Sequence, residues 1–326
     1  MSNNLEKRKR LFDKFSNQLH ILKNEGLLDI DLKFNRTYIC PLCVRQFEEA
    51  DLIYSSHKNC LTEEDAPPDK LFGKRIALTC KECNSKAGAE IDVHLINRIK
   101  QMDSSRFYKG SKQQATIIHN DKKISAEISS NGDGLLEVLY KKKNNNPILL
   151  DEFIRELKND NEKPFLNLMP KRQKNETHRV NLALLKTNFI LTFSKFGYLF
   201  LLDKYYDQIR EQIRNTNKYF DSQIFLKDQF LKDQIGTYYI VNQNAKSILN
   251  IFSLKTEYSE IIIGAILPLP GKSPEELHNS LISKGLNVSE INKVKIILNT
   301  RNYDINSDLF SNKEEIKKLL NWKSTP

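Results

Sequence analysis

The sequence predicts an α+β fold of about two domains, in which a smaller N-terminal part precedes a mixed α/β second domain with a long central helix. Three features predict this fold: an apolar helical repeat near the start, two CxxC pairs around a β-rich stretch, and alternating strands followed by a long helical pattern. The chain has 326 residues, which suits about two domains, and 39% of them are hydrophobic. With 28% charged residues, this composition excludes a disordered or collagen-like chain.

The first 103 residues are predicted to hold one helix and one compact module. Leu5 to Leu28 places its apolar residues mostly three or four positions apart, which predicts a helix with one apolar face in residues 1–36. Residues 37–103 follow as the module, which begins with a β-leaning stretch and continues through the polar connector Glu48 to Lys58.

The second domain is predicted over residues 115–326, after a polar, glycine-bearing linker at Ser104 to Gln114. No proline interrupts the helical pattern from Arg179 to Arg214, and only Gly197 weakens it, so this stretch is the predicted central helix. Further strands are predicted at Ala115–Ile118, Ile124–Ile128, Leu135–Tyr140, Tyr238–Val241, Ile248–Leu254, Glu260–Leu267 and Val294–Leu298, and helices at Leu150–Leu157 and Pro274–Ser283.

Charge and hydropathy indicate a protein of the cytoplasm with a polyanionic partner. The net charge of +10 favours binding to phosphate groups, because neutralising them releases counterions. The first ten residues are polar and basic, so no secretory signal is expected there. Leu182 to Leu202 is apolar and near the length of a membrane span, but it contains Lys186 and Lys195, so we expect a buried helix and no membrane partner.

Four of the five cysteines form two CxxC pairs, Cys40 with Cys43 and Cys80 with Cys83. Two such turns can present four thiolates to one ion, in the tetrahedral arrangement that zinc prefers in structural sites. A closed shell of four thiolates leaves no position for water, so this Zn²⁺ is expected to be structural. Cys60 is left over and is expected to be a buried free thiol.

The residues around these cysteines resemble the zinc-binding type of HNH endonuclease. Between the pairs lies Leu61-Thr-Glu-Glu-Asp-Ala-Pro-Pro, followed by the turn Leu71-Phe-Gly-Lys and by Leu78-Thr-Cys-Lys-Glu-Cys-Asn-Ser-Lys-Ala-Gly. This order resembles the family pattern of a CxxC, a Leu-Thr-x-Glu-His-x-x-Pro strand start, a Leu-x-Gly-Lys turn and a second CxxC that continues into Asn-x-x-Ala-Gly. The resemblance covers about Ile39 to Leu95.

The resemblance implies a ββα-metal module that hydrolyses phosphodiester bonds in nucleic acid, with DNA as the expected substrate and restriction or phage defence as the expected setting. In this family two strands and a helix hold one divalent ion, Mg²⁺ or Mn²⁺, beside the scissile phosphate. Carried over by position, Glu64 and Asn84 become candidate ligands of that ion. Asp65 stands where the family has its basic histidine, and it is a candidate for both roles.

Asp65 is the main departure from the family pattern. An ordinary aspartate has a pKa near 3.9, against about 6.5 for histidine, and is therefore the weaker proton acceptor. Either Asp65 binds metal and polarises water, or another group is the base, or the site is inactive. His57, His94 and Asp92 are the other candidates, each of which has an ordinary alternative as a solvated or helix-surface residue.

A second hypothesis is a zinc-stabilised module that binds nucleic acid or a protein partner after losing the catalytic base. Lys171 to Lys174, Arg210 and Arg214 are the basic residues of the second domain that could follow a phosphate backbone, although charged helix faces are usually only solvated. The sequence leaves open whether the chain pairs with a protein partner or with a second copy of itself.

Overall fold

The computed structural model describes residues 3–54, 58–159, 166–171, 175–217, 225–227, 230–240, 247–282, 300–302 and 309–321. The predicted mixture of helices and strands is confirmed, and the chain divides into two compact units. Unit 1 comprises residues 1–95, 176–254 and 260–326, and unit 2 comprises residues 96–175 and 255–259.

The described helices are α1 (Asn3–Asn24), α2 (Lys81–Ala87), α3 (Val93–Ser105), α4 (Pro147–Asn159), α5 (Thr177–Phe196), α6 (Tyr198–Leu201), α7 (Tyr206–Arg214), α8 (Pro274–Ile282) and α9 (Lys313–Asn321). The described strands are β1 (Tyr38–Ile39), β2 (Gln46–Phe47), β3 (Leu61–Ala66), β4 (Lys74–Cys80), β5 (Lys112–His119), β6 (Lys122–Ser130), β7 (Leu136–Tyr140), β8 (Asn167–Pro170), β9 (Phe225–Lys227), β10 (Gly236–Ile240), β11 (Ser247–Lys255), β12 (Glu260–Pro268) and β13 (Thr300–Asn302). The predicted strand Val294–Leu298 and the candidate base His57 lie outside the described residues.

The two units do not follow the domain boundaries predicted from the sequence, at 36/37, 103 and 115. The N-terminal helix, the cysteine module and the long α5 belong to one unit, because α1 and α5 both pack on the module. The side chain of Phe15 in α1 stacks on Phe193 in α5 with 4.3 Å between ring centroids, and both rings meet Tyr38 at the start of the module. Tertiary packing therefore joins segments that the sequence separates by more than 100 residues.

The predicted central helix over 179–214 is divided into three helices. The backbone turns at Gly197, whose φ of +58° and ψ of −135° lie outside the helical region. Gln18 of α1 bridges the break, since its amide donates to the Phe196 carbonyl at 3.0 Å and its side-chain oxygen accepts from the Tyr198 amide at 2.8 Å. A methyl group at Gly197 would overlap that glutamine, so the glycine allows both the turn and the close approach.

Unit 1 also contains a five-stranded sheet in the order β13-β10-β11-β12-β9. The predicted strands over 238–241, 248–254 and 260–267 correspond to β10, β11 and β12, and the predicted helix at 274–283 corresponds to α8. Its strand β11 is buried along nearly its whole length. Among the described residues, no helix has the length and apolar character to cross a membrane.

Unit 2 contains a second sheet, with the strand order β7-β6-β5-β8 and antiparallel neighbours throughout. The strands predicted from residue 115 to residue 140 are confirmed as β5, β6 and β7. Helix α4 covers one side of this sheet, where Phe153 and Leu150 pack with Ile117, Ile124 and Ala126. The alternation of apolar and polar residues thus predicted the strands.

Candidate metal centre and ββα site

The four cysteines of the two CxxC pairs meet in unit 1. Their sulphur atoms all lie within 4.8 Å of one another, and the Sγ atoms of Cys43 and Cys80 are 3.7 Å apart. Zn–S bonds of about 2.3 Å in a tetrahedron place sulphur atoms about 3.8 Å apart, so this cluster fits a zinc ion. Cys60 is buried but is not part of the cluster, as the sequence predicted.

Local backbone structure makes the cluster possible. The short strands β1 and β2 pair at Tyr38 with Phe47, and the chain turns tightly between them. In that turn the amide of Val44 donates to the Cys40 carbonyl at 2.9 Å, and Val44 takes a positive φ of 53°. The second pair begins at the last residue of β4 and continues into α2, so a strand end and a helix start deliver its two thiols.

Arg45 completes the environment of the sulphur atoms. Its guanidinium donates to Cys43 Sγ at 3.3 Å, to Cys80 Sγ at 3.4 Å and to the carboxylate of Glu82 at 2.5 Å. Hydrogen bonds from Cys40 and the other cysteines, and from Arg45, lower the pKa of the Cys43 thiol. Donors aimed at sulphur favour the thiolate form, which is the form that binds metal.

Strands β3 and β4 and helix α2 follow one another in the chain and pack together as a strand–strand–helix unit. The two strands are antiparallel, with Leu61 opposite Cys80 and Glu64 opposite Ala77, and the register shifts between Glu64 and Asp65. Helix α2 begins directly after β4 and packs on both strands. The cysteine cluster therefore fixes the end of the hairpin and the start of the helix at one point.

Asn84, a predicted ligand of the catalytic ion, joins α2 to β3. Its side-chain amide donates to Thr62 Oγ1 at 3.0 Å and to the Glu63 carbonyl at 2.8 Å. It does not cap the helix, since α2 already begins at Lys81. Thr62 in turn donates to the carbonyl of Thr79 at 3.1 Å, so Asn84 belongs to a polar network that spans the hairpin.

Glu64, the second predicted ligand, lies in the interior. Only 1% of the residue is exposed. One carboxylate oxygen accepts from Thr79 Oγ1 at 2.7 Å, and the other accepts from the ammonium of Lys186 in α5 at 2.6 Å. Both oxygens are therefore engaged by the protein itself, and solvent does not reach them.

Asp92 is the second acidic partner of Lys186. The ammonium donates to Asp92 Oδ2 at 2.6 Å, and the residue is 8% exposed, so the predicted helix-surface position is wrong. Burial raises the pKa of Asp92, against the opposing effect of the Lys186 charge. Burial also acts to lower the pKa of Lys186, but the charges of Glu64 and Asp92 outweigh it and raise that pKa. The ammonium is therefore charged at neutral pH.

Asp65 faces a different environment from Glu64, as neighbouring residues on a strand do. It lies 3.9 Å from the guanidinium of Arg75, which also pairs with Glu63 at 2.8 Å. Its side chain is 22% exposed, in contrast to the 2% exposure of the Glu64 side chain. Burial, followed by the charge of Asp69, raises the pKa of Asp65 to about 6.

The raised pKa makes Asp65 a stronger proton acceptor than the ordinary aspartate assumed from the sequence. A carboxylate with a pKa of about 6 accepts a proton almost as readily as an ordinary histidine, and it is still mostly ionised at pH 7. A carboxyl group of this acidity can act as a general base at neutral pH. Local sequence could not show this shift, because its largest cause is burial, although the second cause, Asp69, lies only four residues away.

Two of the other candidate residues are buried and make contacts that hold the fold together. His94 is buried, and its Nδ1 accepts from the Glu176 amide at 3.0 Å, which ties the start of α5 to α3. Arg210 is buried and pairs with Asp207 in its own helix, so it does not present a surface cation. Within Lys171 to Lys174, residues 172–174 lie outside the described part of the chain.

Arg214, by contrast, is exposed beside the cysteine cluster. It lines an open cavity of about 230 Å³ together with Leu42, Arg45, Glu82, Cys83, Lys86, Ala87 and Ile213. Three of these side chains are cationic and one is anionic. The cavity thus brings cations from separate elements together beside the cluster.

Comparisons with protein-family models, with curated proteins and with solved structures found no match for this chain.

Proposed function

We propose that the protein is an HNH-type endonuclease that hydrolyses phosphodiester bonds in DNA, with Asp65 as the general base and with a structural zinc ion in its four-cysteine cluster. Restriction or phage defence is the setting that we propose for it. The single observation that carries the proposal is the placement of a partly exposed Asp65 on a hairpin that packs on helix α2 and ends at the four-cysteine cluster. The raised pKa of this aspartate supports it.

The proposed role of Asp65 is a proton transfer. Its carboxylate takes a proton from a water molecule as the water oxygen forms a bond to phosphorus. The bond from phosphorus to the leaving oxygen breaks, and that oxygen takes a proton from solvent. General base catalysis of this kind contributes about 10²- to 10⁴-fold to a rate.

The residues do not fit the predicted catalytic Mg²⁺ or Mn²⁺ at Glu64. A magnesium ion needs near-octahedral oxygen ligands at about 2.0–2.1 Å and keeps several waters, whereas both Glu64 oxygens are already bonded to protein groups in a closed interior. The proposal therefore gives Glu64 no catalytic role and rests on the base alone.

A cleavage assay across pH tests the proposal. Plasmid DNA, single-stranded DNA and RNA are incubated with the zinc-loaded protein from pH 5 to 9, without added metal and with Mg²⁺ or Mn²⁺. Wild type should cut DNA with a midpoint near pH 6, and Asp65→Asn should lose about 100-fold or more of the rate. Asp69→Asn is the matched control, which should keep the rate and move the midpoint to lower pH, because its charge contributes to the raised pKa.

A second candidate is a DNA-binding module without nuclease activity. The pairing of Glu64 with Lys186 favours it, because that pairing removes a predicted metal ligand. The cations beside the cysteine cluster, Lys86 and Arg214, are then the proposed phosphate contacts. Changing both to Ala should weaken DNA binding and reduce the slope of log K against log salt by about 0.9 per lost contact.

The same assay separates the two candidates. If wild type is inactive at every pH and Asp65→His cuts DNA, the binding module replaces the endonuclease. If wild type and Asp65→Asn cut equally well, Asp65 is not the base and the proposed endonuclease mechanism is wrong.

A further inference from the structure

Lys186 is a buried lysine between two buried acidic residues. It lies in α5, where it is 1% exposed, and the neighbouring Leu185 and Thr187 are buried as well. Its ammonium is 2.6 Å from a carboxylate oxygen of Glu64 and 2.6 Å from one of Asp92. Three separate elements, α5, β3 and the turn of π-helix Gly88–Asp92 between α2 and α3, thus meet at one buried positive charge.

The charge balance requires a cation at this point. Two buried carboxylates without a partner would be strongly unfavourable, since burying an unpaired charge costs several kcal/mol. One oxygen of Asp92 has no hydrogen-bond partner among the described residues, although it is buried. The lysine therefore supplies the positive charge between the two acids, and one acidic oxygen beside it is left without a donor.

Glu64 is also the residue that the family pattern assigns to a divalent ion. A divalent ion at the ammonium position would have to draw both oxygens in from 2.6 Å to about 2.0–2.1 Å and find further ligands or waters. The four-carbon side chain of Lys186 approaches the two carboxylates from α5 and occupies the space that such an ion would need. The positive charge between Glu64 and Asp92 therefore belongs to a side chain of the protein itself.

We propose that the Lys186 ammonium is a built-in replacement for a divalent ion between Glu64 and Asp92, and that removing it creates a divalent-cation site there. The inference goes beyond the proposed function, which gives Glu64 no metal, and takes from the family resemblance only that Glu64 stands at the family's metal position. It concerns cation binding and stability, so it can fail while the cleavage by Asp65 stands, and the reverse.

The experiment uses the full chain with one equivalent of zinc, confirmed by elemental analysis. Mn²⁺ binding is followed by calorimetry, and the midpoint of thermal unfolding is recorded with and without Mn²⁺. The variants are Lys186→Met, which keeps the apolar stem, and Lys186→Met combined with Glu64→Gln. The matched control is Lys195→Met, which removes another lysine of α5 from outside this triad.

Lys186→Met should unfold at a lower temperature than wild type, bind Mn²⁺ about tenfold or more tightly, and regain thermal stability when Mn²⁺ is added. The added Glu64→Gln change should abolish that gain, and Lys195→Met should behave like wild type towards Mn²⁺. A Lys186→Met protein that folds but shows no Mn²⁺-dependent stabilisation would overturn the proposal.

A measurement on the unmodified lysine keeps the proposal testable if Lys186→Met does not fold. Glu64→Gln alone keeps one acceptor oxygen for Lys186, and its amide NH2 can donate to the hydroxyl oxygen of Thr79, so it should fold and should leave the Mn²⁺ affinity of the chain unchanged. If Glu64→Gln instead lowers the affinity for Mn²⁺, Glu64 already binds metal beside the lysine, and the replacement model is wrong.

Discussion

Replacing Asp65 by Asn should stabilise the protein at neutral pH, by an amount that depends on pH. Asn keeps the shape of the side chain and removes the charge. In the folded protein the pKa of Asp65 is about 6, whereas an aspartate in the unfolded chain has its ordinary value near 3.9. The folded state therefore holds the proton more tightly, and ionising Asp65 above pH 6 destabilises the native state of wild type.

The size of the effect follows from the shift. A raised acidic pKa contributes stability that is present below about pH 4 and lost as the pH rises through about 6. A shift of about two units corresponds to about 3 kcal/mol at 1.36 kcal/mol per unit. Because the side chain is 22% exposed and solvent screens part of the effect, we expect a gain of about 1–2 kcal/mol for Asp65→Asn at pH 8.

Chemical denaturation of both proteins from pH 5 to 8 measures this gain. The variant minus wild-type difference in unfolding free energy is the quantity of interest, because protonation of the cysteine cluster affects both proteins alike. The difference should grow by about 0.5–1 kcal/mol between pH 5 and 7 and then level off. A difference that stays flat over this range, or that falls with rising pH, would refute a raised pKa for Asp65 and with it the proposed base.

Two further predictions concern stability. Removing zinc with a chelator, or changing Cys43 to Ser, should unfold the cysteine module, because zinc binding by such sites contributes on the order of 10 kcal/mol to folding. Cys60→Ser is the control and should keep one zinc per chain. Circular dichroism measures the unfolding, and elemental analysis measures the zinc content. Tyr198→Phe should lower the unfolding free energy by about 2–4 kcal/mol in denaturant titrations. The reason is that the buried hydroxyl of Tyr198 donates to the Ile39 carbonyl at 2.9 Å and accepts from the Ile39 amide at 2.8 Å. An unchanged midpoint would contradict that role.

The sequence predicted single helices and strands but did not predict how they group into units. Apolar repeats predicted α1 and the strands of unit 2, because side-chain periodicity follows directly from backbone geometry. The same repeats could not show that α1 and α5 pack on the cysteine module, since that contact depends on which apolar faces meet in three dimensions. The break at Gly197 was visible only as a weak propensity, and the partner that stabilises it, Gln18, lies 180 residues away from Tyr198.

The sequence alone predicted the four-cysteine cluster. Each CxxC turn places two thiols close together, and the structure brings all four within reach of one ion as predicted. A lysine in the middle of an apolar helical stretch was the one sequence signal for a buried ion pair, since such a charge needs an acidic partner.

Only the tertiary structure decided which acids carry that pairing and which carboxylate stays partly exposed. Lys186 reaches Glu64 across 122 residues of chain, and that contact turns a predicted metal ligand into an internal ion pair. Asp65, the next residue along the strand, stays partly exposed and gains a pKa of about 6 from its surroundings. The physical reason is burial in both cases, together with a partner 122 residues away for Glu64, and no local pattern of residues specifies burial.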